Sequence, residues 1–159
     1  MHKNINIIGC ECEVKFLNET SKLFKERIKV YNNEMGYIDS YESEWKDFNG
    51  YIDAIRKSGA TLNLAFQIGH ATLRTAVIGH QDKHPNADEL NEMKRLAAEA
   101  LDAGALGFST GLYYTPGYYA RTDEVISIAE EVGKRNKLYS THQRDEGSRT
   151  VGLFVSINE

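Results

Sequence analysis

Apolar and polar positions in this chain follow two rhythms, a period of about two and a period of about 3.6 residues, which alternate from Gly50 onward. Residues 61 to 68, Thr-Leu-Asn-Leu-Ala-Phe-Gln-Ile, place Leu62, Leu64, Phe66 and Ile68 in strict alternation, which predicts a strand closing on Gly69-His70. Before it, Tyr51, Ile52 and Ile55 stand at helical spacing and Gly59 supplies a stop. The strongest helical pattern lies between Asn86 and Gly104. There Leu90, Met93, Ala97, Ala100 and Leu101 line one face, Asn86 can cap, and Glu89 holds the reciprocal capping position. Ala105-Leu106-Gly107-Phe108-Ser109 predicts a short buried strand ending at Thr110-Gly111. Thr122 is the expected cap of a further helix carrying Val125, Ile128, Ala129 and Val132, Leu138 to His142 resumes as a strand, and Val151 to Glu159 starts another helix.

Nearer the start, the β-branched alternation Asn4-Ile5-Asn6-Ile7-Ile8-Gly9 predicts a strand that delivers Cys10 and Cys12 into a loop. Asn18 to Asn49 is rich in charge and tyrosine, with a helix expected around Lys22 to Val30, and reads as an excursion from a regular core. The repeated order of helix and strand implies right-handed βαβ crossovers, hence an α/β fold with a parallel sheet and outer helices.

Composition narrows the classes. With 159 residues, 41% hydrophobic, 26% charged, 13 Gly and 2 Pro, the chain is an ordinary globular protein, neither disordered nor fibrous. Its length suits one packed domain and falls below the ~250 residues of a closed α/β barrel. The formal net charge of −4, with no long basic run, argues against nucleic acid as a partner. The apolar runs are too short to span a membrane, and Met1-His2-Lys3-Asn4 lacks the apolar core of a signal peptide, so a cytoplasmic location is expected. Cys10 and Cys12 are too near in sequence for an unstrained mutual disulfide, which reads as reduced thiols. A Cys-x-Cys pair can also bind a metal, but the second pair of a zinc ribbon is missing.

Parallel α/β folds bind ligands at the carboxyl ends of their strands, which here selects 69–74, 109–117 and 140–147. His142, at a strand terminus, has the chemistry of a metal ligand, although a hydrogen-bonded or solvated histidine is the alternative. His70 is placed similarly, and Arg74 could fix a carboxylate if the segment opens a helix; the alternatives are a cross-loop hydrogen bond and a solvated charge. Tyr113, Tyr114, Tyr118 and Tyr119 around Pro116 and Gly117 could wall a pocket or pack over the sheet. Arg144, Asp145 and Glu146 could position a ligand, but bracing of the loop by ion pairs is the expected role. His2, His80 and His84 are expected at the surface. Gly104-x-x-Gly107-x-x-x-Gly111 is neither a dinucleotide fingerprint nor a P-loop.

Three of these stretches belong together: Gly-His-Ala-Thr-Leu-Arg at 69–74, Gly-Ala-Leu-Gly-Phe-Ser-Thr-Gly-Leu-Tyr-Tyr-Thr-Pro-Gly at 104–117, and Tyr-Ser-Thr-His-Gln-Arg-Asp-Glu-Gly at 139–147. In order and spacing the chain resembles the N-acyl-D-amino-acid deacylases, or D-aminoacylases, of the amidohydrolase superfamily. The resemblance runs from about Gly50 to Glu159, whereas residues 1–49 match poorly. The domain is therefore read as 1–159, with regular βα units from about residue 50. The resemblance implies a partial TIM-like (β/α) barrel, the middle third of such an enzyme, with zinc as cofactor. It implies that His142, in the Thr-His-x-Arg-Asp-Glu motif, is a metal ligand and that Tyr113 and Tyr114 line an acyl-amino-acid pocket. The family's Gly-Asn-Cys-Gly turn, whose cysteine binds zinc, matches Gly9-Cys10-Glu11-Cys12-Glu13-Val14, which lacks the flanking Asn and Gly. Cys12 fits that position slightly better than Cys10.

The family's first His-x-His or His-x-Asp motif would fall before Met1, and its later metal-binding His and catalytic Asp would fall beyond Glu159. The implied activity is metal-dependent hydrolysis of the amide bond of small N-acyl-D-amino acids, as part of a larger enzyme, with the isolated chain incomplete and inactive. Two rivals stand beside it. One is a hydantoinase- or dihydroorotase-like cyclic amidase on the same barrel, which the second motif argues against; the other is a non-catalytic α/β module that has lost its site.

Overall fold

The computed structural model describes residues 5–8, 47–58 and 63–159. Four strands, β1 (Ile5–Ile8), β2 (Asn63–Gly69), β3 (Gly107–Gly111) and β4 (Leu138–His142), lie side by side in chain order, and every pairing is parallel. Between and after them run α1 (Phe48–Ser58), α2 (His70–Val77), α3 (Ala87–Asp102), α4 (Thr122–Lys134) and α5 (Leu153–Asn158). Sequential order with crossovers of one hand puts the helices on one face, the winding of a (β/α) barrel; a doubly wound sheet would reverse its strand order. The expected helix around Lys22 to Val30, the two cysteines and the rest of the 9–46 excursion lie outside the described residues.

The period of two separates the sheet faces. Phe66, Ile68 and Phe108 point to the helix side, where they join Leu73, Met93, Ala97, Leu101, Ile128 and Val132 in one buried cluster. Gln67, Ser109, Ser140 and His142 occupy the other face, with Gln67 opposite Gly107 and Gly111 opposite His142 in the register. The alternation in β2 therefore does not separate core from water. Gln67 is buried and accepts a hydrogen bond from Ser140 Oγ at 2.8 Å, so the polar face is an interior of its own kind.

Local chemistry accounts for the element ends. Helix α1 starts at Phe48, two residues before Gly50, because Asp47 caps it: its Oδ1 accepts from the Gly50 N–H at 2.8 Å. Phe48 and Tyr51 then reach the core, where Tyr51 meets Phe66 edge-on at 5.2 Å. Helix α3 has the expected capping box, the Glu89 N–H donating to Asn86 Oδ1 and the Asn86 N–H to Glu89 Oε2, both at 2.9 Å. Asn86→Ala is expected to lower stability by about 1 kcal/mol, read from urea denaturation, with the site unaffected; a loss below a few tenths would show that the box is not holding the helix.

Gly104 ends α3 at φ +111°, a conformation that only glycine adopts easily. A side chain at Gly107 would collide with the Leu138 backbone carbonyl, so close pairing of β3 with β4 requires glycine there. The expected cap at Thr122 is not formed. Arg121 precedes the helix without a side-chain cap bond, and the Thr122 hydroxyl instead donates to Glu159 Oε1 at 3.1 Å, tying α4 to α5.

Helix α2 has no amphipathic stripe because nearly all of it is buried, from His70 through Thr75. On the far side, β4 exposes Leu138 and Tyr139, and α5 leaves Phe154 81% exposed beside Val155 and Ile157. The faces of Val151 and Leu153 are likewise partly open. No helix among the described residues is long and apolar enough to cross a membrane.

Candidate active-site face

Strands β3 and β4 end together, with Gly111 paired to His142 and the Leu112 N–H donating to the His142 carbonyl at 3.0 Å. The chain turns immediately after β3, which brings the two tyrosines of the second motif beside the histidine of the third. The Tyr113 ring stacks on the His142 ring at 6.1 Å, and the Tyr114 ring meets it edge-on at 5.0 Å. Nε2 of His142 lies 3.7 Å from Glu146 Oε1. These groups, with Asp145, Gly147 and Arg149, line a cavity of about 380 Å³.

Two residues brace this face. Arg144 donates to the carbonyls of Tyr118 and Ala120 at 2.8 and 2.9 Å, and pairs with Glu159 at 2.6 Å. It thus fixes the 3-10 turn Gly117–Tyr119, and with it the aromatic loop, against α5. Asp145 is 1% exposed, and its carboxylate accepts the N–H groups of Gly147, Thr150 and Gly152 and the Thr150 hydroxyl. The N–H donors of Thr150 and Gly152 outweigh the opposing effect of burial and hold its carboxyl well below the usual range. The ion-pair brace expected of 144–146 is therefore built by Arg144, while Asp145 braces through backbone donors.

His70 and Arg74 lie away from the cavity wall. Both are fully buried, and they share one carboxylate: His70 Nε2 is 2.8 Å from Glu124 Oε1, and Arg74 Nη1 is 2.5 Å from Glu124 Oε2. Arg74 also donates to the Lys83 carbonyl at 2.9 Å. Arg74 does bind a carboxylate at the start of a helix, as the spacing allowed, but the protein supplies it; the solvated-charge reading fails. Burial pushes the His70 pKa down, only partly countered by Glu124. His70 is therefore neutral, donating from Nε2, and Nδ1 is a bare acceptor with no partner among the described residues. For Glu124, burial opposes ionisation, but the His70 hydrogen bond and the Arg74 charge outweigh it and hold the carboxyl below its ordinary value. Glu124 was legible only indirectly: it sits beside Val125 and four residues before Ile128, a charge on an apolar stripe.

For a metal, the face offers one imidazole at a strand end whose nearest acid, Glu146, stands too far away to hold it by a hydrogen bond. Among the described residues no three His, Cys, Asp or Glu side chains converge on a point. Catalytic zinc usually takes three protein ligands, so His142 fits one position and the described residues do not complete the set.

A parallel sheet wound in sequence order, apolar against its helices and polar on the face that carries a histidine beside an aromatic loop, defines a segment of an amidohydrolase-like (β/α) barrel. By sequence and by fold, the chain is related to the N-acyl-D-amino-acid deacylases. It is 39% identical over 107 residues to the D-aminoacylase of Alcaligenes xylosoxydans xylosoxydans, a match covering 67% of this chain and 22% of that protein. With the N-acyl-D-glutamate deacylase of the same organism it shares 40% identity over 101 residues, 64% of this chain and 21% of the other. A crystal structure of D-aminoacylase, described as defining a novel subset of amidohydrolases, superposes with a TM-score of 0.72 at 30% identity, covering 91% of this chain and 29% of that one. The N-acyl-D-glutamate deacylase of Bordetella bronchiseptica, solved with zinc and a phosphonate mimic of the tetrahedral intermediate, gives 0.63 at 34% identity, covering 69% and 23%. No protein-family model matches the chain. The chain spans about a fifth of the length of the curated relatives it matches.

Proposed function

We propose that this chain forms part of the active face of a zinc-dependent N-acyl-D-amino-acid deacylase, with His142 as a metal ligand and Tyr113 and Tyr114 as walls of the acyl-amino-acid pocket. The observation that carries this reading is the meeting of His142 with both tyrosine rings at the carboxyl ends of β3 and β4. That the relatives deacylate N-acyl-D-amino acids favours a linear amide over a cyclic one. Cys12, outside the described residues, is the second donor this reading assigns, and further donors come from elsewhere in a completed barrel. His142 and Cys12 would help hold the zinc, whose chemistry when bound would be to polarise the amide carbonyl and acidify a water.

The chain's own residues do the rest. Tyr113 and Tyr114 present rigid, half-exposed rings that cover an acyl chain and keep water from it. Arg144, through the Tyr118 and Ala120 carbonyls, sets where that loop stands. A cytoplasmic location belongs to this reading, since such a compartment would keep Cys10 and Cys12 reduced.

Exchanging the matching segment of the Alcaligenes D-aminoacylase for this chain's residues tests the reading. The chimera is expected to hydrolyse N-acetyl-D-leucine with zinc, and Tyr114→Ala within it to lower kcat/KM by about tenfold, ~1.4 kcal/mol, with little change in Tm. A folded, zinc-loaded chimera without turnover overturns the proposal. A Tyr114→Ala variant that melts far earlier with unaltered specificity assigns the ring to packing instead.

A further inference from the structure

Resting on the proposed deacylase reading for its effect on the reaction, we infer that His70 is a positioning residue of the active-site face: the buried His70–Glu124–Arg74 assembly is the floor that seats Gly117, and through it holds Tyr113 and Tyr114 against His142. The aromatic loop leaves β3 at Gly111 and returns onto the same strand end at Gly117, the first residue of its 3-10 turn. A side chain at Gly117 would put its Cβ 2.7 Å from the Gly111 carbonyl oxygen, a collision, and 3.7 Å from His70 Nδ1, an ordinary contact. The turn therefore rests on two groups at once, the end of β3 and the edge of the imidazole. Only glycine lets the backbone come down so far.

The imidazole beneath the turn is not free to rotate. Glu124 holds Nε2 at 2.8 Å, the Phe108 ring meets the imidazole edge-on at 6.0 Å, and Arg74 holds the other oxygen of Glu124. Glu124 and Arg74 balance each other's charge and His70 is neutral, so the Nδ1 edge that faces Gly117 carries no proton and lets the turn approach. His70 and Arg74 are absent from the cavity wall and reach it only through this loop. From the solvent side Arg144 grips the carbonyls of Tyr118 and Ala120, which clamps the turn between a surface arginine and a buried histidine. Tyr113 and Tyr114, 38% and 53% exposed, have little packing of their own to fix them, so the two ends of the loop set where their rings stand.

NMR of the full chain with two variants tests this. H70Q places an amide where Nε2 donates to Glu124, so the buried charges stay paired, but it removes the ring edge beneath Gly117. G117A leaves His70 in place and lifts the turn off the Gly111 carbonyl. Both are expected to stay folded and to lose the nuclear Overhauser contacts that join the His142 ring to the Tyr113 and Tyr114 rings in the parent chain. In the D-aminoacylase chimera both are expected to raise KM for N-acetyl-D-leucine about tenfold while kcat and zinc content hold, the mark of lost binding that ground state and transition state share. Ring contacts that persist in folded H70Q or in G117A overturn the inference; an earlier melting with those contacts and KM intact makes the triad a stabilising device alone. If H70Q does not fold, G117A decides by the same contacts. A parent chimera without turnover overturns the deacylase reading, and the ring contacts of the full chain still judge His70.

Discussion

His142→Ala is expected to lower zinc affinity by more than about 100-fold, beyond the loss seen when only an outer partner of a ligand is removed, and to abolish deacylation in the chimera. The imidazole stands at the last residue of β4, between two aromatic rings and with no hydrogen bond from the described residues that would occupy it. Its removal takes away a donor held by a rigid strand and leaves the buried core untouched, since the side chain is 41% exposed. Zinc content by atomic absorption and turnover should therefore fall together while Tm holds. Stoichiometric zinc and normal rates in the variant would remove His142 from the site.

Glu124→Ala is expected to be the most destabilising single change in the described core, by about 3–5 kcal/mol, because it leaves Arg74 charged, fully buried and unpaired. Against a total stability of roughly 5–15 kcal/mol such a loss empties much of the folded state. Urea denaturation measures it. Replacing Arg74 by Met as well should recover part of the loss, since no lone charge then remains; a double variant no better than the single would show that packing, rather than charge, sets the cost.

Acidification probes the same network. Glu124 titrates below its ordinary value, so its contribution is complete above about pH 4.3, the unfolded value, and disappears as pH falls through the lowered one. His70 is held below its ordinary value and stays neutral in the fold, so below about pH 6.5 the unfolded chain takes up a proton that the folded chain refuses. Both signs make the protein less stable from pH 7 downward, and the slope near pH 6 belongs to His70.

The site and its supports differ in how far they could be read in advance. The end of β2 was visible because its apolar alternation stops at Gly69, and the motif Thr-His-x-Arg-Asp-Glu marked His142 by its residue types. The stacking of Tyr113 on His142 was not visible, because it depends on β3 and β4 being neighbours with Gly111 opposite His142. Thr122 was misassigned as a cap because the acid that claims its hydroxyl, Glu159, is far along the chain.

Local rules within the sequence determined the α3 capping box, the α/β alternation, the parallel sheet and the end of it where chemistry gathers, because caps, periods and glycine stops act over a few residues. Only the tertiary structure decided that α2 is buried all round, that Gln67 faces an interior, and that His70, Arg74 and Glu124 close on one another. Those outcomes depend on which distant group fills the space beside a side chain, and a buried charge is stable only where that group is its counter-charge.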